Sequence, residues 1–225
     1  MTLLSAAIVA EINEVADAYS NRERARLTSI AKAQMNPPHC SSCGAAFLAV
    51  ERAQPHPHCH ACNTTDWQNP RPVLLLLQPV LVSGGLGLAV AKRGIEPAKH
   101  GYALPGGFQE IGETSLEGAC REFREETGVD LGAVKSRSCI TLGDLPSTSG
   151  TQSLVFVQNN TALAQQDFDK LQDTSEMYDW TVLHRDSDFE LCWPTHQLIA
   201  RQWLEAQAGT GFSSPGHVQL PAFHR

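Results

Sequence analysis

Residues Gly107 to Val129 read GFQEIGETSLEGACREFREETGV, and the spacing of this stretch predicts one amphipathic helix with defined ends. Thr114 and Glu117 form a capping box, so the helix is expected to begin at Ser115 and run to Thr127. Gly128 stands where a left-handed C-terminal cap belongs. Leu116, Ala119, Cys120 and Phe123 fall on one face and would pack against a sheet, whereas Glu122, Glu125 and Glu126 fall together on another at i, i+3 and i+4. Three carboxylates on one patch repel one another unless a positive charge sits among them, and hard cations such as Mg²⁺ or Mn²⁺ take carboxylate oxygens. Gly106 and Gly107 let the backbone approach the same metals, or a phosphate, closely.

Outward from this helix the chain divides into four segments. Residues 1–36 are expected to hold a long helix, because Ile8, Ile12, Val15 and Tyr19 recur at helical spacing with no Gly or Pro between them. Asn36-Pro37-Pro38 stops it, and a Cys- and His-rich module follows over 37–68. Asn69-Pro70-Arg71-Pro72 is a rigid junction, after which residues 69–207 form the main domain. Within it, the apolar runs Val73 to Val82 and Leu86 to Lys92 flank Ser83-Gly84-Gly85 and read as a hairpin. Further strands are expected at 138–142, 153–158 and 178–183, with a closing helix near 195–206. The Gly-, Ser- and Pro-rich residues 208–225 read as a loose tail.

A charge run is ordinarily a solvated helix face laced with weak ion pairs. Here, however, the order is Gly, five residues, Glu, seven residues, Arg-Glu, apolar, any, Glu-Glu, any, Gly, apolar. It is filled at every specified position by Gly107, Glu113, Arg121, Glu122, Phe123, Glu125, Glu126, Gly128 and Val129. This order resembles the Nudix box of the Nudix hydrolases, and Leu104-Pro105 resembles the approach to it. The resemblance implies an α/β fold, an α/β/α sandwich around a mixed sheet, and metal-dependent hydrolysis of a phosphoanhydride by water. Carried over by residue, Glu122 and Glu126 resemble the family's metal ligands and Glu125 a further ligand or the base, while Arg121 and Glu113 resemble the pair that steadies the box. One more acidic ligand is expected from a later loop, with Glu176 and Asp179 as candidates.

Cys40-Ser-Ser-Cys43 and Cys59-His-Ala-Cys62 are fifteen residues apart, the spacing of a four-thiolate Zn²⁺ site. A closed tetrahedral shell would staple a segment too small to fold on a core of its own, so the role is structural. His39, His56, His58 and His60 compete as ligands, but two Cys-x-x-Cys knuckles are the simpler set. Two disulfides are the alternative, disfavoured in a reducing compartment. Cys120, Cys139 and Cys192 lack partners at metal spacing and read as core.

A net charge of −7 over 225 residues argues against a phosphate-backbone grip on nucleic acid. The ribbon agrees, for between His39 and Trp67 its only basic chain is Arg52, set against Glu51 and Asp66. It is expected to brace the enzyme or a homodimer instead. The apolar run Val73 to Leu77 is too short to span a bilayer. The first residues lack a secretory pattern, which points to the cytoplasm.

The order of ribbon, Asn-Pro-Arg-Pro and box resembles the group of NADH, FAD and ADP-ribose pyrophosphatases, over about residues 39–205. The substrate implied is a nucleotide derivative of that kind, cleaved to release AMP. The Ser-Gln-Pro-Trp-Pro-Phe-Pro-x-Ser sequence that marks NADH pyrophosphatases is missing, and Trp193-Pro194-Thr195-His196 only echoes it. ADP-ribose and FAD therefore stand beside NADH. Two alternatives use the same fold: a house-cleaning nucleoside triphosphate pyrophosphatase and a non-catalytic ligand sensor.

Overall fold

Leu74 and Leu76 are buried in one hydrophobic cluster and Leu75 and Leu77 in another, which is the alternation that a strand covered on both faces imposes. The computed structural model describes residues 37–83, 85–128, 130, 135–147 and 149–207. The helix expected in residues 1–36 and the tail 208–225 lie outside the described residues. In chain order the elements are α1 (Ala49–Arg52), β1 (Arg71–Leu77), β2 (Pro79–Val82), β3 (Gly85–Arg93), β4 (Tyr102–Ala103), β5 (Gly106–Phe108), α2 (Ser115–Thr127), β6 (Cys139–Pro146), β7 (Gln152–Asn159), β8 (Leu163–Ala164), α3 (Gln165–Phe168), β9 (Met177–Leu183) and α4 (Pro194–Gln207).

Two sheets form, one in the order β5-β1-β7-β6 and one in the order β4-β3-β2-β8, with β9 added on β3. β8 runs parallel to β2 while β2 and β9 run antiparallel to β3, so the second sheet is mixed. One core cluster joins Leu74 and Leu76 to Ala119 and Phe123 of α2. The other joins Leu75, Leu77, Leu88, Val90 and Phe156 to Ala200, Trp203 and Leu204 of α4. The result is the expected α/β/α sandwich around mixed β-structure.

The run Val73 to Val82, read as one strand of a hairpin, is two strands. The chain leaves one sheet at Leu77 and enters the other at Pro79, and only β2 pairs with β3. Gln78 at the break is fully buried, and a buried amide must be satisfied. Its side-chain Nε2 donates to the carbonyls of Pro79 at 2.8 Å and Thr161 at 3.0 Å, and its Oε1 accepts from Asn159 Nδ2 at 2.8 Å. β6 also extends four residues past the expected 138–142, to Pro146.

The described residues fall into two compact units, 72–145 with 154–207, and 37–71 with 146–153. In the second, each Cys-x-x-Cys turn closes in the same way: Gly44 N–H donates to Cys40 O and Asn63 N–H to Cys59 O, both with positive φ. Short bridges His39–Ala46 and His58–Thr65 flank the two turns. Cys40, Phe47 and Cys59 are its buried centre. Among the described residues no helix is long and apolar enough to cross a membrane.

Candidate active site

The ends of α2 are set by local chemistry as the sequence predicts. Thr114 Oγ1 accepts the Glu117 N–H while Glu117 Oε2 accepts the Thr114 N–H at 2.8 Å, and Gly128 caps the helix with φ 67°. With the helix so phased, Phe123 and Ala119 face the core and the acidic residues gather around Arg121.

Arg121 is the hub. Its Nε and Nη2 donate to the two oxygens of Glu113 at 3.1 and 2.9 Å, a bidentate pair. Its Nη1 donates to Glu122 at 2.8 Å and Glu125 at 2.9 Å, and Nη2 also reaches the Phe108 carbonyl at 3.0 Å. The side chain is 15% exposed, and the surrounding carboxylates raise its pKa further. Glu113 is held below the ordinary carboxylate range by its bonds to Arg121, against the cost of its burial.

Glu126 behaves differently. It is 5% exposed and its Oε2 accepts the Gly106 N–H at 2.8 Å. Burial pushes its carboxyl well above the ordinary range against that hydrogen bond, and the charges of Glu122 and Glu176 push the same way. Burial also raises Glu122, with Glu125 and Glu176 adding repulsion. Glu125 is the open member of the set, 58% exposed.

At Gly106 and Gly107 an added Cβ would meet neighbouring atoms. Gly106 has φ +146°, and a Cβ there would collide with the Leu74 carbonyl; a Cβ on Gly107 would run into the Glu122 carboxylate. Register enforces this, since β5 lies against β1 with Gly106 opposite Leu75 and Gly107 opposite Leu74. Gly118, which sequence reasoning did not single out, is confined in the same manner between Leu74 and the Glu113 carboxylate. The signal was present, because Gly inside a capped helix costs about 1 kcal/mol against Ala and asks for a packing reason.

Of the two late acids, Glu176 acts electrostatically on Glu122 and Glu126, and its carbonyl accepts the Gly94 N–H at 2.7 Å. Asp179 is engaged elsewhere, in a 2.8 Å ion pair with Lys92. In the ribbon, Cys40, Cys43, Cys59 and Cys62 bring their Sγ atoms within 4.8 Å of one another, a donor set that fits zinc. Three of the four competing histidines of that module are otherwise engaged: His58 bonds Thr65 and Asn63, His60 bonds Glu51, and His56 accepts from Gln68.

Comparisons with known proteins agree on one family. The model described as NUDIX domain matches residues 79–200. A curated relative, the ADP-ribose pyrophosphatase of Methanocaldococcus jannaschii, is 42% identical over 60 residues, 24% of this chain and 36% of that protein. The chain thus spans about a third of the length of the curated relative it matches. Among solved structures, a NUDIX hydrolase from Nitrosomonas europaea superposes with a TM-score of 0.54 at 18% identity, covering 81% of this chain and 97% of that one. The NUDIX domain of Shewanella oneidensis NrtR complexed with ADP ribose superposes with a TM-score of 0.51 at 16% identity, over 62% of this chain and 89% of that one. These two share the fold.

Proposed function

The chain belongs to the Nudix family, and from that premise we propose that it is a divalent-metal-dependent pyrophosphatase acting on ADP-ribose or a related adenine dinucleotide such as FAD or NADH, releasing AMP. The observation that carries the reading is the pairing of Glu122 and Glu125 with one arginine, Arg121, that Glu113 clamps, beside the buried Glu126 held on the Gly106 N–H. The 42% identical stretch shared with an ADP-ribose pyrophosphatase supports the substrate class.

The donor set fits Mg²⁺ or Mn²⁺, because a buried carboxyl crowded by two further acids is costly without a cation among them. Glu122 and Glu126, with Glu176 from the loop before β9, would hold the metals. Bound there, the ions would neutralise the pyrophosphate oxygens and lower the pKa of the attacking water. The residues of the chain supply position. Gly106 N–H fixes the Glu126 carboxylate, and the glycine backbone at 106–107 leaves open the space beside Glu122. Arg121 holds Glu122 and Glu125 in place and is itself oriented by Glu113. Glu125, the exposed acid, would serve as a further ligand or accept the proton of the water. Water adds to one phosphorus and the bridging oxygen leaves on the other phosphate. Zinc in the ribbon is structural, and seven free cysteines suit a reducing compartment such as the cytoplasm.

AMP release with Mg²⁺ or Mn²⁺ from ADP-ribose, FAD, NADH and a nucleoside triphosphate tests the reading. Turnover of one dinucleotide or ADP-ribose, reduced more than about 100-fold in Glu126→Gln, is expected. Turnover of triphosphates alone would replace the substrate assignment, and no turnover by folded, zinc-loaded protein would leave a ligand sensor.

A further inference from the structure

Three cysteines lie outside the ribbon, and two of them meet. Cys120 on α2 and Cys139 at the start of β6 place their Sγ atoms 3.6 Å apart. Cys139 is 5% exposed within the cluster that holds Ala119 and Phe123, and Cys120 packs half-buried against it. Sγ pairs in the ribbon are as close, at 3.7 Å, but there four thiols converge. Here, among the described residues, no third His, Cys, Asp or Glu completes a metal site. A close dithiol without further ligands has oxidation as its distinctive chemistry.

We propose that Cys120 and Cys139 form an oxidisable dithiol, a modification site at which a hydroperoxide converts both thiols into an intrachain disulfide joining α2 to β6. Cys120 is the attacking sulfur, since it is the more exposed of the two. Its thiolate displaces hydroxide from the peroxide O–O bond and becomes a sulfenic acid. Cys139 then gives up its proton as its sulfur attacks that of Cys120, and water leaves. Two thiols and one hydrogen peroxide thus yield one disulfide and two waters. The sulfurs must close from 3.6 Å to the roughly 2.0 Å of the bond. Because Cys120 immediately precedes Arg121, the link fastens to β6 the part of the helix that carries the hub of the acidic site.

The test is thiol mapping on the full, zinc-loaded chain treated with hydrogen peroxide, alkylated, digested and read by mass spectrometry. A linked peptide pair containing Cys120 and Cys139, two hydrogen masses lighter than the free pair and restored by dithiothreitol, is expected. Cys120→Ser should abolish the link and leave Cys139 alkylatable. Cys139→Ala should let Cys120 proceed to the sulfinic acid. Wild-type protein in which both residues still alkylate, or in which Cys120 reaches the sulfinic acid while Cys139 remains a thiol, would overturn the proposal. None of these readouts requires turnover, so the result is independent of the hydrolase assignment.

Discussion

Arg121 meets Glu113 through two parallel hydrogen bonds, Nε to Oε2 at 3.1 Å and Nη2 to Oε1 at 2.9 Å, while its remaining nitrogen holds Glu122 and Glu125. Lysine keeps the charge but has no planar fork, so it cannot orient three carboxylates at once. Arg121→Lys is therefore expected to lower kcat by about 10- to 100-fold, the range found when partners of metal-binding groups are removed. Its thermal midpoint should change little by comparison. Full turnover in the lysine variant would mean that the fork does not position the site.

Gly106→Ala tests the backbone cradle rather than the carboxylates. The residue has φ +146°, and the added methyl would collide with the Leu74 carbonyl on the adjoining strand. Strain of this kind costs about 1–3 kcal/mol before any displacement of the strand, which at this chain length lowers Tm by about 2–12 °C. A thermal melt indistinguishable from wild type would show that β5 can move away from β1 at no cost.

For the ribbon, one zinc per chain is the expected stoichiometry, since four thiolates close a tetrahedral shell. Cys59 is fully buried beside Cys40 and Phe47, so Cys59→Ser removes a ligand and a core atom together. Metal analysis should fall from about one zinc to well below one. Limited proteolysis should then cut within residues 37–71 first. Retention of a full equivalent of zinc would move the ligand set toward the histidines.

How much of this was legible beforehand depends on how local the cause is. The helix expected over about 115–127 forms at Ser115–Thr127 because Thr114, Glu117 and Gly128 fix its ends within one turn of each, and Glu113 reaches Arg121 within the same segment. The sheet switch at Gln78 was not legible, because it is decided by Asn159 and Thr161, partners 81 and 83 residues away. Proline at 79 was the one local sign of a break. β4 and β8 are two residues long, too short to carry a periodicity. Glu176 and Asp179 looked equivalent in sequence. The β3–β9 register, with Arg93 opposite Met177 and Lys92 opposite Tyr178, separates them, bringing Glu176 under the influence of α2 and leaving Asp179 to Lys92.

The pH dependence of stability has an identifiable source in α4. His196 is 4% exposed and its Nδ1 has no hydrogen-bond partner among the described residues. Burial, with the Arg93 charge adding to it, lowers its pKa from the ordinary 6.5 to about 3. Between these values the unfolded chain binds a proton at this position and the folded chain does not. Stability is then complete above about pH 6.5 and declines as the pH falls toward 3, with a slope approaching about 1.4 kcal/mol per pH unit from this one group. Replacing the imidazole with an apolar ring removes the titration and leaves no unpaired nitrogen, so His196→Phe should lose less stability than wild type over that interval. Urea unfolding at pH 7.5 and pH 5 reads the difference directly. If the two proteins lose stability in parallel, the buried imidazole takes up its proton in the folded state as readily as in the unfolded one, and the acid sensitivity belongs to other groups.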